Sequence, residues 1–400
     1  MCQNYYVGIS TKFQNIRSLL LLTKLNIIAQ LILSVVLISM SIDRKTIVVA
    51  MSGGVDSSVV AAMMHKAGHK VIGITLQLYD YGLVTQKKGA CCAGQDIYDA
   101  KVVADKLGFP HYVFDYESKF KQEVIDDFAD SYMRGETPLP CVRCNQSVKF
   151  NDLLKAAKEL NADALATGHY VQKIVNNGIA QLHKGVSEEK DQSYFLFSTT
   201  QAQLDYLMFP LGGQSKQETR KIAKEFGLEI ADKPDSQDIC FVTNGNYRDV
   251  INKLRPEANK PGRFVHIDGY DLGEHKGIIA YTVGQRKGLG IAFGEPIYVI
   301  KIDPETNTVY VGPESALVKT KFLLKDVNWL ATDLSPLNLE VIAKIRSTTL
   351  GVKARLSVVN NGQIEVSVLE EEKAITPGQA CVFYHDTRML GGGWITREIN

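Results

Sequence analysis

From residue 46 onward, short runs of aliphatic and β-branched residues alternate with longer amphipathic stretches. "TIVVAM", "KVIGITLQL" and "HYVFDY" are apolar runs of strand length, whereas "DSSVVAAMMHKAG" and "GQDIYDAKVVADKLG" have helical spacing and end on glycine. "VKFNDLLKAAKELNADALATGH" reads as a helix leading into another strand. Strands of this kind separated by amphipathic helices predict βαβ units, hence an α/β fold with a parallel sheet and helices on both faces. Beyond roughly residue 243 the texture changes. "GRFVHID", "GIIAYTVGQ", "PIYVIKID" and "TVYVG" are short β-rich runs set among Gly and Pro, and "LEVIAKIRS", "VKARLSVV", "QIEVSVL" and "QACVFYH" continue the style. They predict two small β-rich domains, the last a β barrel. The expected division is an N-terminal extension over 1–44, an α/β catalytic domain over 45–243, a central β-rich domain over 244–315 and the barrel over 316–400.

Composition and charge narrow the function classes. The chain has 400 residues, 45% hydrophobic and 22% charged, enough for two or three cores. A net charge of +1 supplies no global positive field, so any polyanion must be held by local patches. Seven cysteines, an odd number in a long mixed chain, suit a reducing compartment better than a disulfide framework. Residues 25–42, "LNIIAQLILSVVLISMSI", hold no charge and just reach the length of a membrane span. Asn26, Gln30 and three serines interrupt the stretch, no cleavage site follows it, and a strand begins almost at once. The reading is therefore that residues 1–39 precede the true start at Met40, with a cytoplasmic location and no membrane partner.

Candidate chemistry begins at "VVAMSGGVDSSVVAAM". A strand entering a helix through Ser52-Gly53-Gly54 leaves backbone N–H groups free at the positive end of the helix, and glycine lets phosphate oxygens approach them. Asp56 and Ser57 in the first turn can cap those groups or face a Mg²⁺ ion accompanying the phosphates. No Gly-Lys-Ser/Thr follows, so this is not a Walker A loop. The string Ser-Gly-Gly-Val-Asp-Ser resembles the pyrophosphate loop of the ATP pyrophosphatases (adenine nucleotide α-hydrolases, Rossmann-like), which split ATP between the α and β phosphates and adenylate a carbonyl-type oxygen. Amide ligases share that loop.

"GETPLPCVRCNQSVKF" places Cys141 and Cys144 on a proline-stiffened segment entering a helix. Such a pair is half a zinc site, a redox pair or a coincidence, and the other cysteines, including adjacent Cys91 and Cys92, offer no second pair at zinc spacing. A thiol at a helix start has a lowered pKa, which favours Cys144 as the reactive one. Cys240, in "DKPDSQDICFV", is a buried small hydrophobe by its neighbours and a surface-loop residue by the acidic run before it.

"MSGGVDSS", "GACCAGQDIYDAK", "LPCVRCNQSVKF", "LATGHY", "KDQSYFLF", "DSQDICFV", "YTVGQRKGLGI" and "GGGWI" follow one another as in bacterial tRNA-specific 2-thiouridylases, a family this chain resembles from about residue 45 to its end. The resemblance implies replacement of the C2 oxygen of the wobble uridine, U34, by sulfur, with ATP and Mg²⁺. ATP would be held by Ala50, Met51, Ser52, Gly53, Gly54, Val55, Asp56, Ser57, Leu76 and Gly168, the Mg²⁺ arriving with it and meeting Asp56. Cys240 would carry a persulfide, and Cys144, the nucleophile, would close a transient disulfide with it. Both would sit on loops that order around tRNA. Leu139, Pro140 and Cys141 would receive the flipped base, and His169, Lys190, Asp191, Gln192, Arg346, Ser347 and Gln379 would contact tRNA. A cysteine desulfurase or sulfur-relay protein would donate the persulfide, and the enzyme would act as a monomer. Two departures stand out. Many relatives have Asn at the position of Leu139, and some have Asp at that of Cys141, so base contact and proton transfer must be met otherwise here. An iron–sulfur cluster on the cysteines, as in other tRNA thiolases, is a further reading.

Overall fold

A computed structural model describes residues 44–79, 92–235, 239–242, 245–359 and 363–397. The apolar stretch 25–42 and Cys91 lie outside the described residues, among which no helix is long and apolar enough to cross a membrane.

Strands β1 (Thr46–Ala50), β2 (Lys70–Gln77), β3 (His111–Asp115) and β4 (Ala164–Ala166) join β7 (Leu207–Met208) in a five-stranded sheet of order β3-β2-β1-β4-β7, parallel throughout. Ile47, Val48 and Val49 of the central strand are all at 0% exposure, which is why that strand reads as an unbroken apolar run. Ile47 and Val49 pack with Val59 and Val60 of helix α1 (Val55–Lys66) and Val103 of α2 (Cys92–Leu107) on one face. On the other face Val48, Ile72 and Ile74 pack with Phe150, Leu153 and Leu154. The α/β expectation with both faces covered is met.

Two long helical runs lie between β3 and β4. Run α3 is built of Glu117–Phe120, Lys121–Asp126 and Asp127–Met133, and run α4 of Pro140–Arg143, Cys144–Leu153 and Leu154–Glu159; the middle stretch of each has π geometry. Helices α5 (Gln201–Tyr206) and α6 (Lys216–Glu225) flank β7.

The chain then forms a four-stranded sheet of β8 (Gly262–His266), β9 (Asp271–His275), β10 (Tyr298–Asp303) and β11 (Thr308–Gly312), in the order β10-β11-β8-β9. "GIIAYTVGQ", expected as a strand, instead contains a 3₁₀ turn at Ile278–Ala280. Gly277 at φ 122° starts it, and Ile278, Ile279, Ala280 and Tyr281 are all buried, so the apolar run fills a core rather than a ladder.

The C-terminal strands β12 (Val318–Trp329), β13 (Glu340–Lys344), β14 (Val352–Val358), β15 (Ile364–Lys373), β16 (Ala380–His385) and β17 (Arg388–Ile395) close into a barrel through the β12–β17 pairing. A hairpin from the α/β half, β5 (Val171–Asn176) and β6 (Ile179–Lys184), extends this sheet by pairing Leu182 with Met389 and His183 with Arg388. One core cluster accordingly holds Leu182, Tyr194 and Phe197 together with Ala380, Val382, Tyr384 and Trp394.

Candidate active site

Strand order reverses between β1 and β4, and the loops leaving these two strands border the crevice in which open α/β sheets take their ligands. Met51 through Gly54 leave β1 there. Gly53 stands at φ +71°, and a Cβ on it would lie 2.1 Å from the carbonyl oxygen of Asp96, so only glycine fits. Gly54 is the N-cap of α1 and no side chain caps the helix, as the free N–H expectation requires. Ser57 instead accepts from the Ser52 amide at 3.0 Å, bracing the loop, and the Ser58 hydroxyl donates to the Gly54 carbonyl at 2.9 Å. Gly168, after β4, lies against the same turn, where a Cβ would come 3.0 Å from the Ser57 nitrogen. Leu76, near the end of β2, is half-buried and packs against two core clusters. Ala50 and Val55 complete the loop's flanks, half-buried and buried.

Around this loop stands an ion-pair network that sequence alone conceals. Asp56 accepts from Lys216 at 2.7 Å and from the Tyr170 hydroxyl at 2.7 Å. Lys216 also reaches Asp235 at 2.8 Å, where Lys190 at 2.9 Å and Arg220 at 3.0 Å converge as well. Burial works to raise the Asp235 carboxyl, but bonds and charge from Lys216 and Lys190 outweigh it and bring it down to about 2. Lys233 binds the Gly53 carbonyl at 3.0 Å along with Asp96 and Asp99. The Ser215 capping box at the head of α6 is a legible Ser-x-x-Glu signal, but the partners of Lys216, far off in the sequence, are not.

Run α4 starts with Pro140 in its first turn, so Cys144 sits a full turn inside the helix and buried, not on a loop or at the helix start. Its thiol is correspondingly raised by desolvation, the reverse of the helix-start expectation. Cys141, one turn earlier, reaches solvent, as does Cys240, which lies in an irregular segment. Both nonetheless sit in crowded surroundings. Desolvation raises Cys141, and pushes Cys240 up to about 12 against a hydrogen bond with Tyr79. The charges of Cys141 and Cys144 both act on Cys240, and that of Lys149 acts on all three sulfurs. Phe241, the next residue, anchors the Cys240 segment in the core. It is 1% exposed, meets Phe120 at 6.0 Å and Phe128 at 5.2 Å, and shares its core cluster with Cys144. Cys144 and Cys240, widely separated in the chain, thus lie within range of one another's charge. Among the described residues no group of three or more His, Cys, Asp or Glu is placed to hold a metal ion.

The remaining candidates surround these two centres. Leu139 caps run α4 and packs on the core, with Pro140 buried behind it. His169 accepts or donates at Thr167 over 2.8 Å and lies edge-on to Phe150 and Phe209; desolvation, aided by Lys149, lowers it to about 3, so it is neutral near pH 7 and brings no cation. Lys190 points to Asp235, while Asp191 accepts from Gly185 and Ser193 and Gln192 accepts from the Tyr170 amide, so this turn is braced internally. In the barrel, Arg346 donates to the carbonyls of Lys373 and Ala374 with half-buried Ser347 beside it. Gln379 donates to the Thr137 carbonyl at 2.9 Å, and Arg143 stacks over Trp394 at 4.9 Å. The barrel therefore touches this segment on either side of Cys141, at Thr137 and at Arg143 next to Cys144.

Comparison with known proteins adds the following. The chain matches the family models described as tRNA methyl transferase HUP domain over residues 45–244, tRNA methyl transferase PRC-barrel domain over 248–313 and aminomethyltransferase beta-barrel domain over 319–395. It is 64% identical over 364 residues to the tRNA-specific 2-thiouridylase MnmA of Rickettsia africae, covering 91% of this chain and 100% of that one. The counterpart from Rickettsia conorii is likewise 64% identical over 364 residues, covering 91% and 98%. Among solved structures, a 4-thiouridine synthetase–RNA complex with bound ATP is 19% identical at a TM-score of 0.35, over 52% of this chain and 51% of that one. NMN synthetase from Francisella tularensis is 17% identical at a TM-score of 0.32, over 53% and 77%.

Proposed function

This chain belongs to the tRNA-specific 2-thiouridylase family, a sulfurtransferase lineage acting on uridine in tRNA, and from that premise we propose how its own residues carry the reaction out. The target is U34, and ATP binds at the crevice between β1 and β4. The loop Ala50–Ser57 receives the phosphates on its uncapped N–H groups, and Leu76 and Gly168 flank the adenosine. With the nucleotide, Asp56 would hold the accompanying Mg²⁺, which offsets phosphate charge. Lys216, now shared between Asp56 and Asp235, would turn from Asp56 to the phosphates when that happens.

The uridine C2 oxygen attacks the α phosphorus, and pyrophosphate leaves. Adenylation turns a poor leaving oxygen into a good one. A persulfide on Cys240 then attacks C2 with its outer sulfur. The Cys144 thiol attacks the Cys240 sulfur, the S–S bond to the transferred sulfur breaks, AMP departs, and a Cys144–Cys240 disulfide remains. The sulfane sulfur is reduced and two thiols are oxidised, so electrons balance. The observation that carries this layout is Phe241, which anchors the Cys240 segment in the same apolar cluster as Cys144.

The base must leave its stack to meet both centres, and Leu139, Pro140 and Cys141 form the receiving segment. By the family resemblance Lys190, Asp191, Gln192, His169, Arg346, Ser347 and Gln379 would contact the tRNA. Lys190 and Arg346 would exchange their present bonds, to Asp235 and to the carbonyls of Lys373 and Ala374, for phosphate, and neutral His169 would act as a hydrogen-bonding group. A protein persulfide donor supplies sulfur to a monomeric enzyme in the cytoplasm. Mass spectrometry of tRNA nucleosides after incubation with ATP and a persulfide donor tests the scheme. Wild type is expected to form 2-thiouridine at position 34, and Cys144→Ser and Cys240→Ser to form none. Unchanged product in either variant would sink the two-thiol mechanism.

A further inference from the structure

Cys141 has a geometry that the two-thiol scheme leaves unused. It lies three residues before Cys144 within run α4, where helical rise and radius separate Cα atoms by about 5 Å. That spacing falls inside the disulfide window of about 4.4–6.8 Å. The two thiols differ in access: Cys141 is exposed and Cys144 buried, the arrangement of an attacking and a resolving cysteine in a Cys-x-x-Cys turn. Cys240 stands close to both, held by Phe241 against the core that contains Cys144. All three are free thiols in the resting chain.

We propose that Cys141 is a third redox-active thiol, which takes over the Cys144–Cys240 disulfide left by each turnover and frees Cys240 to receive the next persulfide. The proposal rests on the two-thiol mechanism above. In the exchange, the Cys141 thiolate attacks the sulfur of Cys144; the Cys141–Cys144 bond forms as the Cys144–Cys240 bond breaks. The electron pair leaves with the Cys240 sulfur, which takes a proton at a position within hydrogen-bonding reach of Tyr79. One disulfide replaces another, so no outside oxidant or reductant enters this step. A dithiol reductant then reopens Cys141–Cys144 from the solvent side, where Cys141 is accessible, while Cys240 is already being reloaded.

Disulfide mapping after one turnover tests the idea. Persulfide-loaded full-length enzyme is mixed with ATP and tRNA without reductant, quenched in acid, alkylated with N-ethylmaleimide and digested for mass spectrometry. The expected wild-type result is a Cys141–Cys144 disulfide with alkylated Cys240. Cys141→Ser and Cys141→Asp are expected to retain Cys144–Cys240. Their ratio of steady-state to first-turnover rate should fall severalfold at fixed reductant, because Cys240 stays blocked until the reductant has acted instead of being reloaded while Cys141–Cys144 is reduced. A wild-type Cys144–Cys240 disulfide with alkylated Cys141 would overturn the proposal alone. Thiolated product with no disulfide would overturn the two-thiol mechanism and this proposal with it.

Discussion

At Gly53 one methyl group decides whether the loop after β1 keeps its shape. The left-handed backbone and the 2.1 Å approach to the Asp96 carbonyl oxygen leave a Cβ nowhere to go, because the obstacle is backbone. Gly53→Ala is expected to cost about 1–3 kcal/mol in strain and to abolish tRNA-dependent pyrophosphate release, read by thermal melting and a pyrophosphate assay. Charge at single residues makes two further predictions. Lys149 opposes the desolvation of three sulfurs, so Lys149→Met should slow maleimide alkylation of Cys141 and Cys240 at neutral pH, measured peptide by peptide. Asp235 has its folded carboxyl brought below the ordinary 3.8 to about 2. Its contribution is therefore complete above the ordinary value and is lost as pH falls through the range down to about 2. Denaturant titrations should show the stability gap between wild type and Asp235→Asn closing across that acid range and constant above it. The residue scale is also where sequence misled about Cys144. Its position near a helix start suggested an activated thiol, but the helix begins a turn earlier, and desolvation by residues distant in the chain governs the group.

At the scale of elements, most of the parallel sheet was legible because its strands are continuous apolar runs and its helices have clear period and glycine stops. The hairpin β5–β6 carries a local signal, since Asn177 and Gly178, at φ 49° and 79°, form an Asn-Gly turn between its two strands. Its extension of the barrel sheet is not legible, since pairing with β17 joins positions far apart in sequence. Helix α6 links local signal to site. Ser215 and Glu218 form a full capping box, and the following turn presents Lys216 to Asp56 and Asp235. Ser215→Ala should cost about 1 kcal/mol by denaturant unfolding and raise the KM for ATP more than it lowers kcat. An unchanged KM would separate α6 from nucleotide binding.

Across the whole molecule, the division between the α/β half and the barrel is blurred by shared packing. Tyr194 donates to the Ala380 carbonyl at 2.9 Å, Asn328 donates to the carbonyls of Phe197 and Thr199 at 2.7 and 2.8 Å, and Trp394 meets Phe197 at 5.3 Å. Composition shifts revealed where the texture changes but not that one core spans the change. A chain ending at residue 315 would leave Leu182, Tyr194 and Phe197 without their cover. It is expected to be recovered insoluble or to bind a hydrophobic dye and be cleaved rapidly by protease, rather than to behave as an autonomous nucleotide-binding unit.

The pairing of β17 with an early hairpin also bears on biosynthesis. Strand β17 follows every other described strand in the chain, yet it must find β6, some two hundred positions upstream, as well as β12 and β16. A growing polypeptide can assemble its parallel sheet early, but the wall behind its cysteine helix forms only once β17 has been made. A nascent chain in which β17 has not yet emerged would therefore hold the sheet without that wall, whose pairing between distant positions is slow to form.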